Sequence, residues 1–291
     1  MVKNILVATD FSKRADPAFK RGVALAKLHG AHLTLVHVVD NDQSSRIAEA
    51  AQSEASSLLD ALTVQHRNDN TIKVSFAVTC AEPHVGILET AQKIDADLII
   101  LGSHRRSLLR NSLVGTTAER TIRGSRFPVL VARSNDAAPY LRPAIALDIA
   151  ESDESPLNGA RSLALGDMNS LKVIFAFTIA DYHYIRQSGL TENELRRYVN
   201  DHQHALLPRR KEACRKFGVE ERQVMVVHAP FDVADAVLDA ASKEKVDLLV
   251  LGTRRKKAFD RLRLGSVSEA VLRRSEIDIL VVPPPEIIVE M

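Results

Sequence analysis

Short apolar runs alternate with longer amphipathic segments along the whole chain. Residues 4–10 form an apolar run closed by aspartate, and residues 33–39 form a second run of the same kind. Both are typical of buried strands in a parallel sheet. Between them, residues 15–30 carry apolar side chains at helical spacing and end at Gly30, a residue type that often terminates helices. The pattern indicates an α/β fold with right-handed crossovers.

The same alternation continues to the carboxyl end of the chain. In the first half it predicts further helices over residues 44–66, 84–94 and 116–123, and strands over 73–78, 98–101 and 128–132. In the second half it predicts strands over residues 144–148, 171–177, 224–227, 248–251 and 279–282. Five strands per half predict two tandem flavodoxin-like or Rossmann-like domains, each a five-stranded parallel sheet covered by helices on both faces. Strand order is not readable from the sequence.

One stretch of the chain occurs twice. Residues 97–106 (DLIILGSHRR) and 115–119 (GTTAE) return 150 residues later as DLLVLGTRRK and GSVSE. In each copy a strand ends in glycine, a basic loop follows, and a second glycine precedes a pattern that predicts a capping box, Thr116 with Glu119 or Ser266 with Glu269. Such a box uses only some of the first-turn N–H groups. The others, with the helix dipole behind them, are free to bind an anion such as phosphate.

A polar stretch that contains proline separates the two copies. Residues 134–139 read Ser-Asn-Asp-Ala-Ala-Pro, a composition typical of a linker. For a chain of 291 residues, we therefore expect one domain over residues 1–134, a linker over 135–142 and a second domain over 143–291.

Composition and charge restrict the class of protein. Hydrophobic residues make up 45% of the chain and charged residues 26%, as in globular proteins, and the net charge of +2 gives no reason to expect nucleic-acid binding. Cys80 and Cys214 form no CxxC motif and suit a reducing compartment. The first strand leaves no room for a signal peptide, and no apolar run is long enough to span a membrane. We expect a cytoplasmic protein without membrane contact.

These motifs resemble the universal stress protein superfamily in its tandem-domain form. The resemblance rests on residues 7–12 (VATDFS), the strand that ends in His37-Val38, and the Gly-x2-Gly-x9-Gly-Ser/Thr pattern, and it covers both halves. In nucleotide-binding members this pattern holds the phosphates of ATP. The aspartate after the first strand and a backbone position after the second hold the nucleoside. The resemblance therefore implies ATP, with Mg²⁺, in at least one domain.

Carried over by position, the resemblance implies a set of binding residues in each half. These are Asp10, Val38, Gly102, Arg105, Gly115, Thr116 and Thr117 in the first half, and Asp148, Phe177, Gly252, Arg255, Gly265, Ser266 and Val267 in the second. We favour the first half, because its first strand is closer to the family pattern and because Val38 leaves more room for a base than Phe177. An argument for the second half is that the loop after Gly252 carries more positive charge than the loop after Gly102.

The sequence departs from the family pattern at one position of each half. Arg105 and Arg255 stand where the motif has its second glycine. If that position needs a left-handed backbone, arginine costs about 1–2 kcal/mol there. The side chain then either fills the pocket or grips a phosphate through two hydrogen bonds. Both interpretations stay open at this point.

Three hypotheses about function follow. The first is a non-catalytic stress-response regulator that binds ATP. The second is a structural or interaction protein whose pockets are closed by Arg105 and Arg255, and the third is a slow ATPase. The sequence has no GxSxG elbow and no Walker A lysine, so we nominate no catalytic residues and no metal ligands.

The resemblance also has a consequence for assembly. Single domains of the family commonly dimerise through their last strand. Residues 129–131 and 279–282 would then pair within this one chain and form an internal pseudo-dimer, which covers two exposed sheet edges. A homodimer of the whole chain is left open.

Overall fold

Strands and helices alternate in the computed structural model, and most of its strands are parallel. The α/β fold class expected from the sequence is therefore confirmed. The chain separates into two compact units, each described by itself below. The structure describes residues 2–68, 72–103, 116–147, 154–162, 168–253 and 264–284. None of the helices in these ranges is both long and apolar enough to cross a membrane.

The first compact unit extends to Pro139 and also takes in the last described strand of the chain. Its elements are β1 (Asn4–Ala8), α1 (Asp16–His29), β2 (His32–Val39), α2 (Ser45–Asn68), β3 (Lys73–Cys80), α3 (Pro83–Lys93), β4 (Leu98–Gly102), α4 (Thr117–Gly124), β5 (Val129–Ala132) and β10 (Asp278–Val282). Strand order in this unit is β3-β2-β1-β4-β5-β10, with β10 antiparallel to its neighbour and the other strands parallel.

This strand order decides where the first unit can bind a ligand. From β1 the chain moves outward to β2 and β3, then returns to place β4 on the other side of β1. The order therefore reverses between β1 and β4. At such a reversal, the helices that follow the two neighbouring strands lie on opposite faces of the sheet. A crevice opens outside the carboxyl ends of the strands at such a switch point. The strands below it are packed tightly, because Ile5, Leu6 and Ile100 are fully buried.

The second compact unit begins at Tyr140. Its elements are β6 (Pro143–Leu147), α5 (Ser155–Ser162), β7 (Lys172–Phe177), α6 (Tyr182–Gln187), α7 (Glu192–Ala205), α8 (Leu207–Phe217), β8 (Val224–His228), α9 (Val233–Lys243), β9 (Leu248–Gly252) and α10 (Ser266–Arg274). These four strands are parallel in the order β8-β7-β6-β9. Three helices, α6 to α8, connect β7 to β8, where the first unit uses α2 alone.

The compact units and the sequence repeats differ at the carboxyl end. In the repeat, β10 is the fifth strand of the second half, within the expected domain over 143–291. In the structure it is grouped with the first compact unit, where it pairs antiparallel with β5, with Leu280 opposite Leu130. The unit that begins at Tyr140 is therefore made of four strands, and the first unit gains a sixth.

Candidate functional site

A cleft of ≈ 280 Å³ lies at the carboxyl ends of β1, β2 and β4 in the first unit. This is the switch point of the strand order. Four of the residues expected from the sequence line it, namely Asp10, Val38, Gly102 and Thr117. Thr116 lies immediately before Thr117 at the start of α4. The expected positions Arg105 and Gly115 fall outside the described residues.

Asp10 supplies a carboxylate to the cleft. Its Oδ1 accepts a hydrogen bond from the backbone N–H of Ser12 at 3.0 Å. Partial burial opposes ionisation, but hydrogen bonding from Ser12 and the positive charge of Arg14 outweigh it and hold the pKa of Asp10 below its usual value. Near neutral pH the group is therefore an anion that accepts hydrogen bonds, so it suits a hydroxyl or amino group of a ligand and repels a phosphate.

The loop that carries Asp10 is fixed by an aromatic contact. Phe11 has a left-handed backbone (φ 58°), which costs a side chain other than glycine about 1–2 kcal/mol. Its ring stacks on His37 of β2, with 4.5 Å between the ring centroids. His37 Nδ1 lies 2.9 Å from the carbonyl oxygen of Thr9, which requires the Nδ1–H tautomer as donor. His37 and Phe11 are therefore positioning residues: they hold the loop that carries Asp10, and neither was among the expected binding residues.

Gly102 ends β4 beneath this loop. A Cβ atom at this position would overlap the carbonyl oxygen of Arg14 and lie 2.9 Å from Cα of Ala15. Its φ is not positive. The glycine is therefore required because the chain entering α1 crosses β4 at close range, rather than because a ligand must touch the backbone there.

The amino terminus of α4 supplies hydrogen-bond donors to the same cleft. The capping box expected for Thr116 and Glu119 is present: the Glu119 N–H donates to Thr116 Oγ1 and the Thr116 N–H donates to Glu119 Oε2, both at 3.2 Å. Within the described residues, the N–H groups of Thr117 and Ala118 have no hydrogen-bond partner. Both residues line the cleft. With the helix dipole behind them, these two donors suit an anionic group.

An apolar wall faces these polar groups. Val38 and Ile87 line the cleft, and α3 packs closely behind them. A Cβ atom at Gly86 of α3 would lie 2.8 Å from Val38 Cγ1, so the helix approaches β2 at a distance that only glycine allows. The cleft thus combines an apolar surface, a carboxylate and unpaired N–H groups.

Strand register shows which residues of the second unit correspond to these. Leu6 of β1 pairs with Thr34 of β2, and Ala144 of β6 pairs with Lys172 of β7. Leu6 and Ala144 occupy the same place against the repeated strands β4 and β9. Thr34 and Lys172 are therefore equivalent positions.

Four residues further along, Val38 corresponds to Ala176, and Phe177 corresponds to Val39. The sequence comparison of Val38 with Phe177 was one residue out of register, so the difference in room for a base between these two residues does not favour either half. Phe177 belongs instead to an aromatic cluster. Its ring centroid is 5.4 Å from His228, which also meets Tyr182 edge-on at 4.5 Å.

The start of α10 differs from the start of α4. The capping box expected for Ser266 and Glu269 is wrong: the helix begins one residue earlier, Gly265 is its N-cap, and the cap makes no side-chain hydrogen bond. Glu269 instead accepts a hydrogen bond from Arg273 at 2.7 Å. Ser266 and Val267 are the first two helical residues. Gly252 ends β9, whereas Asp148 and Arg255 lie outside the described residues.

The second unit has a cleft in a different place. It measures ≈ 290 Å³, lies between β8 and α9, and is lined by none of the expected second-half residues. Its walls include His228, Phe231 and Asp232. Across the described part of the chain, no three His, Cys, Asp or Glu side chains converge as metal ligands.

Comparison with solved structures establishes the fold over the whole chain. A crystal structure of a putative universal stress protein from Pseudomonas aeruginosa matches with a TM-score of 0.64 at 22% identity. The alignment covers 97% of this chain and 94% of the Pseudomonas chain. A universal stress protein from Archaeoglobus fulgidus has a TM-score of 0.65 at 18% identity, and covers 96% and 98%.

Comparison of sequences establishes the family. A universal stress protein of Methanocaldococcus jannaschii is 28% identical over 159 residues, which are 47% of this chain and 98% of the relative. A putative universal stress protein of Staphylococcus aureus is 30% identical over 152 residues, 50% of this chain and 92% of the relative. Each relative thus corresponds to about half of this chain. The family model matches residues 1–133 and 159–283, and the chain therefore belongs to the universal stress protein family.

Proposed function

We propose that this universal stress protein binds one adenine nucleotide, ATP with Mg²⁺, in the cleft of its first unit, and acts as a non-catalytic regulator in the stress response. The observation that carries the proposal is the pair of unpartnered N–H groups of Thr117 and Ala118, which line the same cleft as the Asp10 carboxylate. A ligand that satisfies both must contain an anionic group and a neutral group with hydrogen-bond donors.

A nucleotide has both kinds of group, because its phosphates are anionic and its ribose and base carry neutral hydrogen-bond donors. Its phosphates bind at the N–H groups of α4, because the helix dipole attracts negative charge there. Its ribose hydroxyls or its amino group donate to Asp10, which repels phosphate and so orients the ligand. Val38 and Ile87 offer the apolar surface that a base requires.

The second unit does not offer the same combination among its described residues. Its cleft lies between β8 and α9 and is separate from Ser266 and Val267 at the start of α10. We therefore assign one nucleotide per chain to the first unit.

The proposal is tested by removing a single backbone donor. Thr117→Pro deletes the N–H of the first helical residue, where proline is well tolerated. The preceding Thr116 already has φ −62° and ψ 162°, which a following proline requires. Loss of one charge-assisted hydrogen bond should weaken ATP binding about tenfold or more in titration calorimetry with Mg²⁺.

Two matched variants serve as controls. Thr117→Ala keeps the N–H and should bind within about threefold of the unmodified chain, since less than 1 kcal/mol is at stake. Ser266→Pro makes the equivalent deletion at the start of α10 and should leave affinity unchanged. Full affinity in Thr117→Pro, or an equal loss in Ser266→Pro, would contradict the assignment to the first unit.

The same titration separates the alternative functions. If the unmodified chain fails to bind ATP and Arg105→Gly gains affinity, the pockets are closed and the protein is an interaction scaffold. If Arg105→Gly loses affinity, the arginine is a phosphate ligand. Release of inorganic phosphate by the unmodified chain, lost in Thr117→Pro, would support a slow ATPase.

A further inference from the structure

We infer that a buried ion pair between Arg21 and Asp278 makes the edge of β5 selective for the chain's own β10 over a second copy of β5. This inference concerns the interaction surface formed by the β5 edge and does not depend on nucleotide binding. It addresses how two nearly identical strand sequences are kept from exchanging partners.

Apolar packing alone does not distinguish the two strands. In the antiparallel register Ile279 is opposite Val131, Leu280 is opposite Leu130, and Val281 is opposite Val129. Each strand therefore presents a leucine between two β-branched residues. A second β5 would offer nearly the same side chains to the same edge, and the backbone hydrogen bonds of an edge accept any extended partner.

Asp278 provides what the apolar residues lack. Its side chain is fully buried, and its Oδ2 lies 3.2 Å from Nε of Arg21, a residue of α1 that is only 3% exposed. Its Oδ1 accepts hydrogen bonds from the backbone N–H groups of Arg133 (2.7 Å) and Ser134 (2.9 Å), directly after β5. One carboxylate thus binds both the helix and the end of the strand on which β10 docks.

Asp278 places a negative charge beside the buried guanidinium of Arg21. Its two Nη atoms donate to the carbonyl oxygens of Ala138 (2.5 Å) and Asp136 (2.7 Å), so the same guanidinium also holds the segment after β5. Neutral carbonyl groups satisfy hydrogen bonds but do not compensate a buried positive charge. Removing only the carboxylate would therefore take away a negative charge that stabilises a buried cation, which is expensive.

A second β5 cannot replace this carboxylate. Asp278 directly precedes the apolar triplet of β10, and Pro128 holds the same place before the triplet of β5. In a β5–β5 pair in this register, Pro128 would face Arg21 and the N–H groups of Arg133 and Ser134, and it has no carboxylate to offer them. The pairing would take a negative charge away from the buried Arg21 and an acceptor away from two backbone N–H groups, which disfavours it strongly.

The arrangement is also one-sided. Pro17 and Pro156 are the second residues of α1 and α5. The fourth residue after Pro17 is Arg21, whereas the fourth residue after Pro156 is the buried Ala160. Only the first half therefore carries the arginine, and only the second half carries the aspartate. Such complementary asymmetry favours pairing between unlike strands over pairing between like ones.

The test uses the full chain and labelled peptides. Asp278→Asn keeps the shape of the side chain and removes its charge, so β10 should dissociate more often and backbone hydrogen exchange at residues 129–132 and 278–282 should rise about tenfold or more. A labelled peptide of residues 276–284 should then bind this variant at least about tenfold more tightly than a peptide of residues 126–134. Glu276→Gln, an exposed carboxylate two residues away, is the control and should leave exchange unchanged.

A second variant separates selectivity from stability. Arg21→Met combined with Asp278→Leu replaces the ion pair by apolar side chains, an exchange that buried ion pairs often tolerate. This chain should fold, but the two peptides should now compete for it within about threefold. Equal binding of both peptides to the Asp278→Asn chain would overturn the inference. Unchanged exchange in that chain, or retained discrimination in the doubly substituted chain, would overturn it as well.

Discussion

The two halves of this chain repeat a motif, but their described residues differ at the start of the helix that follows it. In the first unit, Thr116 caps α4 with its side chain, and the next two N–H groups line a cleft beside Asp10. In the second unit, α10 begins one residue earlier on an uncapped Gly265, and the cleft lies between β8 and α9. A repeated sequence thus preserves the strand, the glycine and the helix. Which residues line a cleft depends on strand register and on the neighbouring helices and strands.

The two units also differ in the pair of residues where a helix packs on the strand beside the cleft. Gly86 of α3 accommodates Val38, and the equivalent positions of the second unit are Ala236 of α9 and Ala176 of β7. A larger residue on the helix is thus matched by a smaller residue on the strand. Volume at the interface is conserved, although its distribution is not.

The largest effect should come from Gly102→Ala. The added methyl group would overlap the Arg14 carbonyl, and overpacking of this kind costs about 3 kcal/mol of unfolding free energy. Because the displaced chain adjoins Asp10, ATP affinity should fall as well. Gly252→Ala is the matched change in the second unit and should leave ATP affinity unaltered. If both variants lose affinity equally, the two halves are functionally coupled and the contrast drawn here fails.

Gly86→Ala should destabilise the protein by about 2 kcal/mol, because its Cβ would press on Val38. Combining it with Val38→Ala recreates the pair found in the second unit. The double variant should therefore cost about 1 kcal/mol less than the sum of the two single changes. Denaturant unfolding measures all three, and strict additivity would show that the exchange between the halves is not compensatory.

Because α4 has a side-chain cap and α10 has none, substitutions at the two helix starts should differ in their effect on stability. Thr116→Ala removes a side-chain cap and should cost about 1 kcal/mol of stability. Ser266→Ala removes no cap and should stay within about 0.5 kcal/mol of the unmodified protein. Equal losses in thermal unfolding would mean that Ser266 acts as a cap after all.

The smallest effect is a pH dependence confined to the second unit. Burial, and to a lesser degree the charge of His202, lower the pKa of His228 below its usual value of 6.5. The folded state then binds fewer protons than the unfolded state, so stability should fall as pH drops through 6.5 toward the lowered pKa, and stop falling below it. Comparing denaturant unfolding on the two sides of this window measures the effect.

His228→Gln should flatten this dependence, whereas His183→Gln, at an exposed position of α6, should not. The position equivalent to His228 in the first unit is Cys80, since Val39 pairs with Cys80 and Phe177 with His228. A slope that survives in His228→Gln would place the acid sensitivity elsewhere in the molecule.

Much of the fold was predictable because its signals are local. Apolar runs set the strands within a few residues, and Gly30 ends α1 in a left-handed conformation (φ 64°) as its position suggested. Strand order and register were not predictable, because they depend on pairings between distant segments. The misplaced correspondence of Phe177 arose for this reason: only the pairing of β1 with β2 and of β6 with β7 shows that Val38 corresponds to Ala176.

The site was predictable only in part, for similar reasons. Asp10 follows from the rule that ligands meet parallel strands at their carboxyl ends, whereas Thr117 was implied by the resemblance to the family. The requirement for glycine at position 102 was recognised, but its cause, the crossing of Arg14, needed the packed structure. No sequence pattern connects Arg21 with Asp278, because the contact unites the first helix with the last described strand.

The place of β10 also sets an order of events during synthesis. Ribosomes release the amino end first, so all of the second unit emerges before the strand that completes the first. Until then the nascent chain carries an open β5 edge and the Arg21 guanidinium without its carboxylate. A prematurely terminated product would keep this strand edge exposed, and exposed edges are prone to aggregation and are recognised by chaperones and proteases. Strand β10 thus covers the β5 edge only after the second unit has been synthesised.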